Sequence, residues 1–272
     1  MKKILLLLVF VSLFAFVGCK KKDEKVIRVG ASSTPHAVIL EYIKDKVEAK
    51  GYKLEIVEFE DYILPNVSLT EGDLDANYFQ HTPYLNSYNA SNGTDLESAY
   101  LVHYEPFGIY SETVKNLSDV KSGATIFIPA DESNETRALL LLRDVNLITL
   151  KDGVNINTGV TTFDILDNKG FVIKEVEAST LVAQLKNATS GSLAVINGNY
   201  AIQAGYKVKD SLALESSESD AAQTYANIIA VRKGESDNEK IKVLIECLNN
   251  NDVKEFIERT FNGSVVPIFK KK

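Results

Sequence analysis

The side chains best suited to holding a small polar molecule stand at the ends of apolar segments. The densest group is Phe79-Gln80-His81-Thr82-Pro83-Tyr84. The apolar run Leu74–Phe79 predicts a strand ending there, and Thr82 as a cap with Pro83 behind it predicts a helix start. His81 and Tyr84 then project from the carboxyl end of a strand, where open α/β sheets bind ligands. With Phe79 they form a polarizable wall suited to an apolar or thioether group, because sulfur favours aromatic edges. The structural alternative puts Phe79 in the core, His81 on a carbonyl and Tyr84 against its own helix. Ser133–Arg137 predicts a second helix start, continued by Ala138–Leu142. Arg137 falls in its first turn, where the helix dipole disfavours a cation by roughly several tenths of a kcal/mol. Its partner is either an incoming carboxylate, bonded by the guanidinium fork and free N–H groups, or a neighbour among Asp131, Glu132 and Glu135. Asn197 closes the apolar Leu193–Ile196, and Asn227 sits in the segment Tyr225–Val231. Each offers a carbonyl and an amide, which suits an α-ammonium plus an α-carboxylate, and each type is also common at turns and caps. Tyr62, which follows the strand ending at Phe59, carries the weakest signal and is equally read as half-buried packing.

Other chemistries lack their motifs. There is no Gly-rich phosphate loop, cysteine pair, HExxH or nucleophile elbow, and no serine has the surroundings of a nucleophile. His36, His81 and His103 are too scattered for recognisable metal-ligand spacing. The expectation is a binding protein with no catalytic residue, no metal and no cofactor. A net charge of −7 without a dense basic patch argues against nucleic acid.

The first eighteen residues read as a secretory signal. Lys2 and Lys3 precede the apolar run Ile4–Val17, which is short for a permanent membrane span. Phe16-Val17-Gly18-Cys19 resembles a lipobox, with Phe16 where Leu is usual. Cys19 is therefore the expected lipidation site, and several acyl chains together hold a protein firmly at a membrane. Residues 19–25 form a polar tether. The expected location is the cell membrane, lipid-anchored and facing the extracytoplasmic side. Cys19 and Cys247 are the only cysteines, so lipidation excludes a disulfide within one chain, and Cys247 is read as a small apolar residue on a helix flank.

Strand-length and helix-length apolar segments alternate from Val26 to Phe269, which predicts α/β layers with mainly parallel sheets. Thr34 and Pro35 predict a helix start, with Ile39, Leu40, Ile43 and Val47 as its apolar stripe and Gly51 at its end. Two segments of unusual composition, Glu105–Tyr110 and Tyr225–Val231, are candidate crossovers. They divide the chain into lobe I, residues 26–107 plus 228–272, and lobe II, residues 108–227. Two amphipathic helices carrying Ile241, Leu244, Ile245, Leu248, Val253, Phe256 and Ile257 are expected to pack back on the first lobe.

Six ordered blocks carry a family resemblance. They are Asp61-Tyr62-x-Leu64-Pro65-Asn66, Gly72–Tyr84, Glu105-Pro106-x-Gly108-x-Tyr110-Ser111, Asn134-x-x-Arg137-Ala138-Leu139, Ala194–Tyr200 and Tyr225-x-Asn227. Together these resemble the MetQ/NlpA family of methionine-binding lipoproteins from ABC importers. The resemblance runs over essentially the whole mature chain. It implies a two-lobed, periplasmic-binding-protein-like (type II) α/β fold with two crossover strands. It also implies L-methionine or a related ligand, an ABC permease with its ATPase, and membrane attachment through the lipid. A methionine-containing dipeptide or another apolar amino acid is the alternative ligand, and a surface adhesin or scaffold the alternative role. By the same resemblance Tyr62, Phe79, His81 and Tyr84 line the side-chain pocket, Arg137 holds the ligand carboxylate, and Asn197 and Asn227 hold the amino-acid backbone. The chain departs from the family at Ala130-Asp131-Glu132, where Asn-Asp-Pro is frequent.

Overall fold

The computed structural model of the chain describes residues 24–216 and 220–268. The signal segment, Cys19 and Lys20–Asp23 lie outside the described residues. The first half runs β1 (Val26–Ser32), α1 (Val38–Tyr42), α2 (Lys44–Ala49), β2 (Lys53–Phe59), α3 (Leu64–Thr70), β3 (Ala76–His81), α4 (Thr82–Asn92), β4 (Glu97–Tyr104), β5 (Gly108–Tyr110), β6 (Thr125–Pro129) and α5 (Glu132–Asp144). The second half continues β7 (Thr149–Leu150), β8 (Ile165–Asp167), β9 (Val172–Val176), α6 (Leu181–Lys186), β10 (Leu193–Ile196), α7 (Gly198–Gln203), β11 (Ala213–Leu214), α8 (Asp220–Thr224), β12 (Asn227–Val231), α9 (Glu239–Leu248), α10 (Asn251–Phe261) and β13 (Val266–Pro267).

Two sheets result. One has the order β13-β4-β12-β3-β1-β2 and the other β11-β5-β10-β6-β9. Both are mixed, which corrects the expectation of mainly parallel pairing. β1 pairs parallel with β2 and β3, and β6 pairs parallel with β9 and β10. β12, however, runs antiparallel to β3 and β4, and β5 antiparallel to β10 and β11. The chain enters β5 from β4 and β12 from β11, each a strand of the other sheet, so no direct crossover imposes parallel geometry.

Local chemistry explains where helices start. Thr34 has the extended backbone of a cap, and the turn Ser33–Ala37 that contains it buries His36 before the regular helix α1 begins at Val38. The apolar stripe Ile39, Leu40, Ile43 and Val47 is fully buried, as its spacing required, although Ile43 breaks it into two short helices. α5 starts at Glu132 because the Asp131 side chain accepts the Asn134 N–H at 3.0 Å. Asp131 thus supplies the cap without the proline of the family's usual Asn-Asp-Pro. The start at Glu132 also moves Arg137 to the second turn, so the dipole cannot be its main constraint.

α9 and α10 do pack on the first sheet. Ile241, Leu244, Cys247, Leu248, Val253 and Ile257 join Ile27, Val29, Ile39 and Tyr78 in one core. Leu244 is completely buried there. Leu244→Ala is expected to lower stability by about 2–5 kcal/mol in urea unfolding, with ligand affinity of the folded fraction unchanged. Among the described residues no helix is long and apolar enough to cross a membrane.

Candidate functional site

The carboxyl ends of β3 and β10 face one cavity, whose empty space, including the part open to solvent, is about 330 Å³. All seven side chains singled out in the sequence line it: Tyr62, Phe79, His81, Tyr84, Arg137, Asn197 and Asn227. Gln80, Glu105, Asn134, Gly198 and Asn199 complete the wall. Phe79, His81, Tyr84 and Asn227 come from the elements of the first sheet, and Asn134, Arg137 and Asn197 from those of the second.

One end is aromatic. The Tyr62 ring lies 5.8 Å from Phe79 and 5.7 Å from Tyr84, centroid to centroid, and Phe79 lies 6.0 Å from Tyr84. Polar tips fix the rings in place. Tyr62 Oη donates to Asn199 Oδ1 at 2.5 Å, and Tyr84 Oη donates to the Tyr62 carbonyl at 3.0 Å. Burial raises the pKa of both phenols, so each stays a neutral donor.

His81 does cap, but with the opposite polarity from the sequence alternative. Its Nδ1 accepts the Tyr84 backbone N–H at 3.1 Å, which makes His81, not Thr82, the cap of α4. The ring proton is therefore on Nε2, which donates to Asn134 Oδ1 at 3.2 Å. Burial, helped by the nearby Arg137 charge, lowers the imidazole pKa to about 3 and keeps it neutral.

The polar end is ordered by a chain of amides that begins at Asp131. A carboxylate can only accept, so the two Asp131 oxygens, at 2.8 and 3.0 Å, must face Asn134 Nδ2. Asn134 Oδ1 is thereby turned toward Asn197 Nδ2 at 3.0 Å. What remains of Asn197 is its carbonyl oxygen, buried and without a hydrogen-bond partner, as is Asn199 Nδ2. The wall thus offers one spare acceptor and one spare donor, a pair that a zwitterion can satisfy.

Arg137 has a partner that none of the local candidates supplied. Glu215, 78 residues away, receives Nε at 2.9 Å and Nη2 at 2.5 Å. Nη2 also donates to the Glu105 carbonyl at 2.7 Å. The guanidinium lies over the rings of Tyr225 and Phe107, 4.6 and 4.7 Å from their centroids. Burial works against the charge, but Glu215 and Tyr104 outweigh it and raise the pKa of Arg137. The Tyr104 hydroxyl also meets the guanidinium, and Arg137 brings its charge to the cavity wall. Glu215 follows the short β11, and nothing in its surroundings in the sequence connects it to Arg137. Asn134, Asn199 and Glu105 stand in the family blocks but have no feature of their own that marks them.

Two sheets meeting at a polar and aromatic cavity define the class: a two-lobed, periplasmic-binding-protein-like fold. The NlpA lipoprotein family model matches residues 27–269, and the chain belongs to that family. Among relatives, the methionine-binding lipoprotein MetQ of Bacillus subtilis is 42% identical, covering 98% of this chain and 99% of its own length. A putative lipoprotein from Ruminococcus gnavus superposes with a TM-score of 0.85 at 49% identity, covering 90% of this chain and 99% of that one. A nutrient-binding protein from Burkholderia cenocepacia, solved bound to methionine, gives a TM-score of 0.83 at 40% identity, covering 89% and 100%.

Proposed function

We propose that this protein is a lipid-anchored substrate-binding protein that captures L-methionine between two lobes and hands it to an ABC permease and its ATPase. The observation that carries the reading is the polarity of this cavity. Three aromatic rings at one end suit a thioether side chain. At the other, Asn199 Nδ2 is a buried donor and Asn197 Oδ1 a buried acceptor without partners, and the Arg137 cation lines the same wall, the complement of a carboxylate beside an ammonium. Burying a zwitterion without such partners would cost several kcal/mol per charge. The methionine-bound relative and the MetQ relative support the same ligand class.

In this reading lobe I is residues 26–107 plus 228–272 and lobe II is 108–227, a division supported by the membership of the two sheets except at Asn227, which opens β12 of the first. The site residues come from both lobes, so ligand binding favours closure and closure presents one surface to the permease. Cys19 is the proposed lipid attachment site. Metabolic acyl labelling is expected in wild type and lost in Cys19→Ala; labelling that persists in the variant removes the anchor.

Calorimetry on chain beginning at Lys20, unfolded to strip ligand and refolded, tests the ligand. L-Methionine, D-methionine, glycyl-methionine and the other amino acids form the panel. L-Methionine is expected to bind with a Kd below about 1 µM, equivalent to roughly −8 kcal/mol. Tighter binding of glycyl-methionine would transfer the site to a dipeptide, and no binding by any member would end the transport reading.

A further inference from the structure

Three buried groups beside the cavity have no part in that reading. His36, His103 and Glu105 are almost wholly inaccessible and lie together, the two histidines behind the wall to which Glu105 belongs. Glu105 Oε1 is 2.7 Å from His103 Nε2 and 3.3 Å from His36 Nε2. His103 Nδ1 is hydrogen-bonded to the Tyr78 hydroxyl. His36 Nε2 also meets Asn227 Oδ1 at 2.9 Å, whereas His36 Nδ1 has no partner.

These contacts favour one arrangement of protons. His36 Nε2 faces a carboxylate oxygen that can only accept, so Nε2 carries the hydrogen. It must then donate to Asn227 as well, which forces the amide oxygen of Asn227 toward His36. The inverted arrangement would bury a His36 Nδ1–H with no acceptor and set a ring lone pair against Glu105, each a penalty of roughly 1–3 kcal/mol. Burial lowers the His36 pKa to about 4, which keeps the ring neutral with a single proton to place. Asn227 Nδ2, which has no hydrogen-bond partner among the described residues, is left facing the cavity that Asn227 lines.

We infer that His36, keyed by Glu105, is a positioning residue that locks the Asn227 amide with its N–H₂ toward the ligand carboxylate. The inference rests on the proposed binding of a zwitterionic amino acid. It assigns opposite polarities to the two asparagines. The Asp131–Asn134 relay makes Asn197 an acceptor for the ammonium, and the Glu105–His36 relay makes Asn227 a donor for the carboxylate. Neither polarity is set by the ligand-contacting residue itself. The site is therefore ordered before the ligand arrives, which spares the ligand the cost of orienting it.

The test compares methionine with 3-(methylthio)propylamine, which keeps the side chain and the amine but has no carboxylate. In the refolded chain, His36→Leu is expected to weaken methionine at least tenfold while changing the amine less than threefold. His36→Gln, which restores an N–H donor, should stay within about threefold of wild type for both. The double variant His36→Leu/Asn227→Ala should bind methionine no more weakly than Asn227→Ala alone, because one interaction is removed by either route. Equal losses for methionine and the amine, or additive losses in the double variant, would overturn the role of His36. If His36→Leu does not fold, side-chain amide NMR of the wild type carries the test. The Asn227 N–H₂ signals, assigned by their loss in Asn227→Asp, should shift with methionine and not with the amine; equal shifts overturn the inference. Failure of the wild type to bind methionine would instead overturn the reading beneath it.

Discussion

Replacing Arg137 by alanine is expected to lower folding stability by about 3–5 kcal/mol and to weaken methionine binding by about 100-fold or more. Two separate causes act at one residue. Arg137 is only 4% exposed and its partner Glu215 has a side chain 12% exposed, so truncation strands a nearly buried carboxylate. The Glu105 carbonyl and the stacking on Phe107 and Tyr225 are lost with it. The cavity wall then loses its cation as well. Removing both partners separates the causes. Arg137→Ala/Glu215→Ala no longer strands a charge, so it should recover much of the stability in urea unfolding while binding in calorimetry stays lost. Recovery of binding along with stability would mean that Arg137 serves only to neutralise Glu215. Arg137→Lys should fall between, because an ammonium cannot make the two-pronged contact.

Acid is expected to act on the protein through its histidines, with a differential of about 1.4 kcal/mol per pH unit for each one removed. Burial lowers the pKa of His36 to about 4 and of His81 and His103 to about 3, against an ordinary 6.5. Between those values the unfolded chain binds protons that the native protein refuses. The stability they contribute is therefore complete above about pH 6.5 and is lost as the pH falls toward 4. Burial raises the carboxyls of Glu105, Asp131 and Glu135, the last to about 7, and these groups act in the opposite sense. The histidine contribution is best isolated by substitution. His36→Gln should lose stability less steeply than wild type between pH 6 and 4.5, by about 2 kcal/mol over that interval. Imidazole resonances of the native protein should not titrate between pH 5 and 8. A histidine that titrates near 6.5 in the native state would show that its pocket is open to water.

Much of the site could be read from residue type and position alone, and the limits are physical. Phe79, His81 and Asn197 stand where apolar runs end, and the strands they close do bring them to one cavity. The apolar stripe of α1 and α2 was readable because helical spacing is local. Residue order marks Arg137 for a weaker reason than the real one, since Asp131 caps α5 and places Arg137 beyond the first turn. Its partner was invisible: Glu215 reaches it only through the packing of β11 beside β5. The strand directions of β5 and β12 were equally hidden, because antiparallel return depends on how two distant segments meet. His36 is the clearest case. As a lone histidine after a strand it carries no signal, yet the turn Ser33–Ala37 places it between Glu105 and Asn227, from two other parts of the chain.

The central claim is that a methionine side chain sits among Tyr62, Phe79 and Tyr84 while Arg137, Asn197 and Asn227 hold its polar end. Met1 is the only methionine and lies in the proposed signal, so the chain from Lys20 has none. Methionine carrying a ¹³C-labelled methyl group would therefore give one NMR signal free of protein background. On binding, that signal is expected to move upfield in the ring currents and to show cross-relaxation to aromatic protons, diminished in Phe79→Leu. A bound methyl group with no upfield shift and no aromatic contact would contradict the account.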